Sequence, residues 1–408
     1  MREGRRRVVV TIVVALLILS LTVPLFLVRC PDRGPGRRLV IWHSFAEGSR
    51  EDEAIRRTLA AIAAEPPAIV IEVTPMGDQL GVALGSALNT GALPDLLLAP
   101  AEWAPILWQA GALHPLPTGA ADDWLPAVRA ALVRQGGLLG LPVFTATIAL
   151  GRSDELSAED WPGDLADLAR QAADSRDRLG AEAFWPTADL YYTLPWYLAA
   201  GGRLEPEPAP EEDPSWSDPP RVDPAAGQAW LAAVAQLKGL STADPAIDPI
   251  TVWGDGGVAL APLIPVEVVA LRATGVDVDL GALPGGVPYL STWALLLPRK
   301  AAEPSAAAVE LTRRLRRDGD DALAALAGAA GMLPPSPGLF DREAIESLGL
   351  GPFRPIAAAA LPMPAGLHAP TVWGLFAEAL AEFHDGAKAD DVLSRLKDGI
   401  DQLGPPES

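Results

Sequence analysis

Residues 39–100 read LVIWHSFAEGSREDEAIRRTLAAIAAEPPAIVIEVTPMGDQLGVALGSALNTGALPDLLLAP. The opening Leu39-Val40-Ile41-Trp42 is a short apolar run of the kind that forms a buried strand. Ile55, Leu59 and Ile62 recur at helical spacing, and Pro66-Pro67 stops that helix. From Ile69 to Val73 apolar residues alternate around Glu72, which predicts a second strand. Leu80 to Leu88 predicts a second helix, and Leu96-Leu97-Leu98 a third strand. Strand, helix, strand, helix, strand is the order of an α/β layer built on a mostly parallel sheet.

Further along, the chain from 153 to 250 is dominated by helix-like segments. Strand signals return at Val258–Leu260, Val276–Leu280 and Ala294–Leu297. A small-residue helical region spans Ala306 to Ala330, and an amphipathic helical tail with short breaks runs from Val372 to Leu403. Residues 203–224 hold seven Pro and seven acidic residues, the composition of a stiff exposed loop. No repeat of fixed period is present. The 408 residues suit roughly two domains.

The N-terminus speaks to compartment. Arg2, Arg5, Arg6 and Arg7 precede 21 uncharged, mostly apolar residues, Val8 to Val28. That length spans a bilayer core of ~30 Å as a helix, and a basic start leaves its end in the cytoplasm. The run reads as an uncleaved anchor, with a cleaved signal or a lipoprotein arrangement at Cys30 as alternatives. No A-x-A-like site follows it, and Arg29 stands where acylation of Cys30 would want a small residue. Each version exports residues 38–408.

Composition excludes several functions. The formal charge is −20, and the first 29 residues are positive, so the remainder is a strongly acidic body that repels nucleic-acid backbones. One cysteine rules out an intramolecular disulfide framework or a multi-Cys zinc site. The four His at 43, 114, 368 and 384 are scattered. No phosphate-cradling glycine loop, H-E-x-x-H or G-x-S-x-G occurs. The notable residue is tryptophan, twelve against eight Phe and four Tyr. Trp103, Trp185, Trp253, Trp293 and Trp373 stand in loop-like contexts, where binding residues are usually placed. Flat aromatic faces beside polar groups suit sugar rings, whose C–H edges stack while their hydroxyls need hydrogen-bond partners.

The motif order resembles the family 1 extracellular solute-binding proteins of ABC importers, of the maltose/maltodextrin-binding kind. L-V-I-W-H-S (39–44) is similar to that family's first strand. G-A-L-P-D-L-L-L (91–98) is similar to its G-x-x-P-D stretch, Q-A-G-A-L (109–113) to the helix end that follows, and G-L-L-G-L-P (137–142) to its crossing strand. D-L-Y-Y-T-L-P (189–195), with Gly201-Gly202 after it, resembles the aromatic ligand segment. Ala259 to Pro265 resembles a strand and turn, and Met363-Pro364 followed by Trp373 the C-terminal M-P…W segment.

The resemblance implies an α/β clamshell of two lobes. Each would be a mostly parallel sheet flanked by helices, preceded by a transmembrane or signal helix. The expected organisation is anchor 1–29, linker 30–38, lobe 1 at 39–142 plus 285–332, and lobe 2 at 143–284 plus 333–404. Crossings would fall near Pro142, Pro284 and Leu333. The implied function is capture of a sugar or oligosaccharide and its delivery to ABC permease subunits. The implied protein is a monomer held at the membrane by 8–28, not an enzyme, and without a cofactor. Tyr191, Tyr192, Trp293 and Trp373 would stack on rings; Glu102, Asp189, His43 and Ser44 would meet hydroxyls. Several of the family's ligand positions differ here, at Ala46, Glu47, Ala99, Ala146 and Val266, so the sugar's identity does not carry over. Two alternatives stay open: a ferric-ion-binding relative using His43, Glu102, Tyr191 and Tyr192, and a secreted carbohydrate-active enzyme.

Overall fold

The computed structural model describes residues 38–116, 122–134, 137–156, 160–204, 220–240, 249–254, 257–317, 321–366 and 368–403. The expected anchor at 8–28, Cys30, the linker up to residue 37 and most of the Pro-rich loop lie outside these residues. Among the described residues no helix is long and apolar enough to cross a membrane.

The opening stretch folds as its pattern demands. Strand β1 (Arg38–His43) leads to helix α1 (Arg50–Ala64), β2 (Val70–Pro75), α2 (Leu80–Thr90), β3 (Leu96–Pro100) and α3 (Trp103–Gln109). The Ser49 side chain caps α1 by accepting from the Asp52 N–H, and Glu51, Asp52 and Glu53 complement the positive end of its dipole. Gly91, at φ 73°, closes α2 in the left-handed region that glycine adopts freely. Next come α4 (Pro126–Leu132), β4 (Gly140–Ala146), β5 (Ala149–Ser153), α5 (Leu165–Leu179), β6 (Glu182–Ala183), α6 (Leu190–Thr193), α7 (Pro195–Ala199) and α8 (Pro224–Lys238). The remainder comprises β7 (Val258–Leu263), α9 (Pro265–Ala273), β8 (Val278–Gly281), β9 (Tyr289–Leu296), α10 (Ala306–Leu315), α11 (Asp321–Ala330), α12 (Phe353–Ala359), β10 (Leu361–Pro362), α13 (Ala369–His384) and α14 (Ala389–Asp401).

Two sheets organise these elements. The first runs β10-β9-β3-β1-β2, with β4 also paired to β9. The second runs β8-β5-β7-β6. Both are mixed, which corrects the expectation of mostly parallel sheets. β1 and β3 are parallel, but β9 is antiparallel to β3 and to β4. In the second sheet β5 runs antiparallel to both β7 and β8. The cause is the chain's path: it leaves the first sheet at Ala146, enters the second at Ala149, and returns from Gly281 to Tyr289. A strand entered from the neighbouring sheet arrives without the helical crossover that parallel pairing needs. A third segment touches this junction where Leu333 and Thr145 exchange backbone hydrogen bonds of 2.8 and 2.9 Å.

Helices cover the sheets in separate clusters. Ile55 and Leu59 of α1 and Leu323 and Leu326 of α11 bury against the first sheet's Ile41, Leu96–Leu98 and Leu295. Trp230 and Val234 of α8 pack with Val372 and Phe376 of α13 and Val392 and Leu396 of α14. The long helical regions expected at 306–330 and 372–403 are each two helices. The latter breaks at Gly386, whose φ is 95°. The buried Arg314 joins α10 to the end of α1, donating to the Ile62, Glu65 and Pro67 carbonyls at 3.1, 2.8 and 2.8 Å. It thereby satisfies carbonyls that a helix end leaves without partners.

Candidate functional site

The site forms where β3 ends, where β9 begins and where α13 starts. The Ala101 N–H donates to the Thr292 carbonyl at 2.8 Å and fixes the turn after β3. Glu102 follows at the N-cap position of α3, yet its side chain makes no capping bond. Trp103 and Ile106 come next at helical spacing. Facing them are Met363 and Pro364, which follow β10, and Trp373 of α13. Together these residues line a cavity of about 280 Å³, near the lower edge of the ~300–1,000 Å³ usual for small-molecule sites. Glu102 keeps part of its surface open, but protein surrounds it, and burial pushes its carboxyl up to about 7.

Trp103 and Trp373 are the aromatic lining of the cavity among the described residues, and further aromatic groups pack nearby. The Trp373 ring lies 6.3 Å from that of Tyr289, tilted by 50°. Tyr191 is the second residue of α6, where the Asp189 carboxylate accepts from the Tyr191 N–H at 2.8 Å. The Tyr191 hydroxyl lies 3.5 Å from the Ser291 hydroxyl. Its phenol is pushed up to about 12, chiefly by burial, with further contributions from the negative charges of Glu102, Asp189 and Glu267. Ser291 and Trp293 occupy the half-buried face of β9, between the buried Leu290, Thr292 and Ala294. The Trp293 ring packs 5.6 Å from Phe45 and 5.7 Å from Phe144.

Of the residues expected from the sequence, Glu102 and Trp373 meet across one cavity. Tyr191 stands beside them, close enough to feel the Glu102 charge. Trp293 shares a strand face with the Tyr191 contact Ser291. The others are placed differently. Tyr192 turns its ring edge-on to Tyr191, centroids 5.7 Å apart, and its carbonyl accepts from the Trp185 indole at 3.0 Å. Asp189 is exposed, with one oxygen engaged in its cap. Ser44 does not line the cavity, and its hydroxyl is buried without a hydrogen-bond partner.

His43 is turned into the core. It is fully buried, its Nε2 lies 3.0 Å from Asp52 Oδ1, and its Nδ1 accepts from the Phe45 N–H at 3.3 Å. That pattern requires the tautomer protonated at Nε2. Burial, the largest influence, lowers its pKa below the ordinary value and keeps the ring neutral. The iron alternative loses support here. His43 has no free nitrogen, and the Tyr191 phenol resists the deprotonation that ferric ligation needs. Among the described residues no group of three or more His, Cys, Asp or Glu is placed to hold a metal ion.

Sequence reasoning passed over Ser291, Phe45 and Ile106. Trp103 was visible as a tryptophan in a loop-like context, and its position directly after Glu102 was the available signal.

Residues 59–350 match the family model described as bacterial extracellular solute-binding protein. The chain belongs to this family. No curated protein matches it by sequence. Solved structures match it throughout the described body. The GacH receptor of Streptomyces glaucescens, solved unliganded and with acarbose, aligns at a TM-score of 0.75 and 17% identity, covering 91% of this chain and 99% of that one. A cyclo/maltodextrin-binding protein complexed with maltotetraose gives 0.73 and 19%, covering 91% and 98%. The maltotriose-binding protein of Thermus thermophilus, with maltotriose bound, gives 0.69 and 18%, covering 90% and 100%. These TM-scores establish a shared two-lobe α/β fold. Membership in an extracellular family makes this solute-binding protein's body extracytoplasmic, and its solved neighbours are binding proteins.

Proposed function

We propose that this solute-binding protein captures a short saccharide between its two lobes and delivers it to the permease of an ABC importer. The observation that carries the reading is the convergence of Glu102 and Trp103 with Trp373, from opposite ends of the chain, on one cavity. Tyr191 stands close enough to feel the Glu102 charge. Indoles offer faces for sugar C–H groups, and the carboxylate offers acceptors for hydroxyls. Glu102 is the one carboxylate lining this cavity among the described residues. Membership in a solute-binding family, with binding proteins as solved neighbours, supports binding without chemistry. The lobes would hinge at 146–149, at 281–289 and at the strip around Leu333.

Titration of the detergent-solubilised full chain with maltose, maltotriose and maltotetraose should raise the melting temperature and change indole fluorescence saturably. At a ligand concentration 100 times Kd the stabilisation is about 2.7 kcal/mol. A flat response to every neutral and charged saccharide tried would defeat the proposal. Our reading of Val8–Val28 as an uncleaved anchor has its own check. The mature protein should fractionate with membranes and retain its first residues by mass spectrometry, and Cys30→Ser should leave both unchanged. A soluble product beginning near residue 30 would show that the segment is cleaved.

A further inference from the structure

Glu102 is the one charged side chain lining the cavity among the described residues. Among the described residues no Arg, Lys or His lines it. Glu102 enters no ion pair, and the one hydrogen bond to its carboxyl comes from its own backbone N–H. The other charges felt at the neighbouring Tyr191 hydroxyl are also negative, Asp189 and Glu267. Both of these are engaged as helix caps, Asp189 at Tyr191 and Glu267 at the Ile264 N–H, 2.7 Å away. The indoles of Trp103 and Trp373, whose ring faces are electron-rich, line the same cavity as Glu102.

We propose that the ligand is an aminated saccharide, whose ammonium sits against Glu102 and over the indoles of Trp103 and Trp373. This rests on the saccharide reading above and names its class. A neutral sugar can donate a hydroxyl to Glu102 but supplies no countercharge, so the acid stays near neutrality and makes only an ordinary hydrogen bond. An ammonium supplies the hydrogen bond and the countercharge together. The ring carbons of the same ligand then cover Ile106, Met363 and the indole faces. Burial holds the empty site's carboxyl near neutrality, so a bound cation would draw it into the ionised form.

The test is calorimetric titration of the full chain in detergent, at pH 7, with three disaccharides of one linkage. Cellobiose, N,N′-diacetylchitobiose and the chitosan disaccharide differ only in the substituent at C2: hydroxyl, acetamide or ammonium. The ammonium compound should bind at least about tenfold more tightly than the other two. Glu102→Gln should erase that preference while keeping the ring contacts. Removing the buried acid also removes its destabilising ionisation, so the variant should melt no lower than the parent at pH 7. Equal binding of the three disaccharides, or a preference that survives Glu102→Gln, overturns the charge inference and leaves saccharide binding standing. Silence from all three while maltotriose binds overturns the inference alone. Binding of choline with no saccharide bound overturns the saccharide reading as well.

Discussion

Trp373→Ala should cost the protein roughly 2 kcal/mol or more of ligand affinity, about thirty-fold in Kd. The indole is half-buried, lines the cavity opposite Glu102 and Trp103, and rests against Tyr289 at 6.3 Å. Truncation removes a large flat face and leaves a gap that water fills. The neighbouring Val372 and Phe376 are fully buried in the helical cluster and hold α13 in place without it, so the fold should survive. Tyr191→Phe is the internal comparison. It deletes only a hydroxyl whose one partner is Ser291 at 3.5 Å, and its loss should stay within about 1 kcal/mol. Calorimetric Kd values for both variants, with melting curves to confirm folding, decide the assignment. A Trp373→Ala protein that binds as well as the parent would move the site elsewhere.

The first sheet was legible because its strands are short apolar runs separated by capped helices. Leu39–Trp42, Ile69–Val73 and Leu96–Leu98 all fall on observed strands or within a residue of them. Strand direction was not legible. Pattern gives burial, whereas antiparallel pairing of β9 with β3 and β4 depends on where the chain re-enters the sheet. For the same reason the site was read in part. Glu102 and Trp373 were named from the family resemblance, Trp373 through its M-P…W segment, and they do meet. His43 carried a similar signal at the end of β1 but points into the core. Its partner, Asp52, lies on the buried face of α1, nine residues on. A carboxylate on a helix's buried face is not expected from hydrophobic periodicity, and only packing reveals that it answers an imidazole. Ser291 could not be found at all, since an isolated serine in a strand gives no sign of which lobe will face it.

Replacing Asp52 by Ala should destabilise the fold by about 3 kcal/mol. Asp52 is 2% exposed and accepts three hydrogen bonds: from His43 Nε2 at 3.0 Å, the Gly48 N–H at 2.9 Å and Arg56 Nε at 2.6 Å. Its loss leaves a buried imidazole N–H and a turn N–H without partners. Burial alone would push the Asp52 carboxyl up, yet the Gly48 N–H, the Arg56 guanidinium and the His43 imidazole together hold it below its ordinary value. The pH dependence follows from these directions. Unfolded chains protonate His43 near 6.5 while the folded state resists, so stability falls as pH drops below 6.5. Asp52 adds a second loss as pH drops through 3.8 and on to its lower folded value. Glu102 acts in the opposite sense. Its folded pKa of about 7 exceeds its unfolded 4.5, so its contribution rises as pH falls from 7 to 4.5 and partly masks the His43 loss. Urea unfolding between pH 4.5 and 7.5 should therefore show a steeper acid decline in Glu102→Gln than in the parent, and a shallower one in His43→Asn. Parallel curves for all three proteins would mean that neither group's ionisation is coupled to folding. The Asp52 contact also reaches the site: Phe45 donates its N–H to His43 and packs its ring on Trp293. Asp52→Ala should thus weaken ligand binding as well, even at temperatures where the variant remains folded.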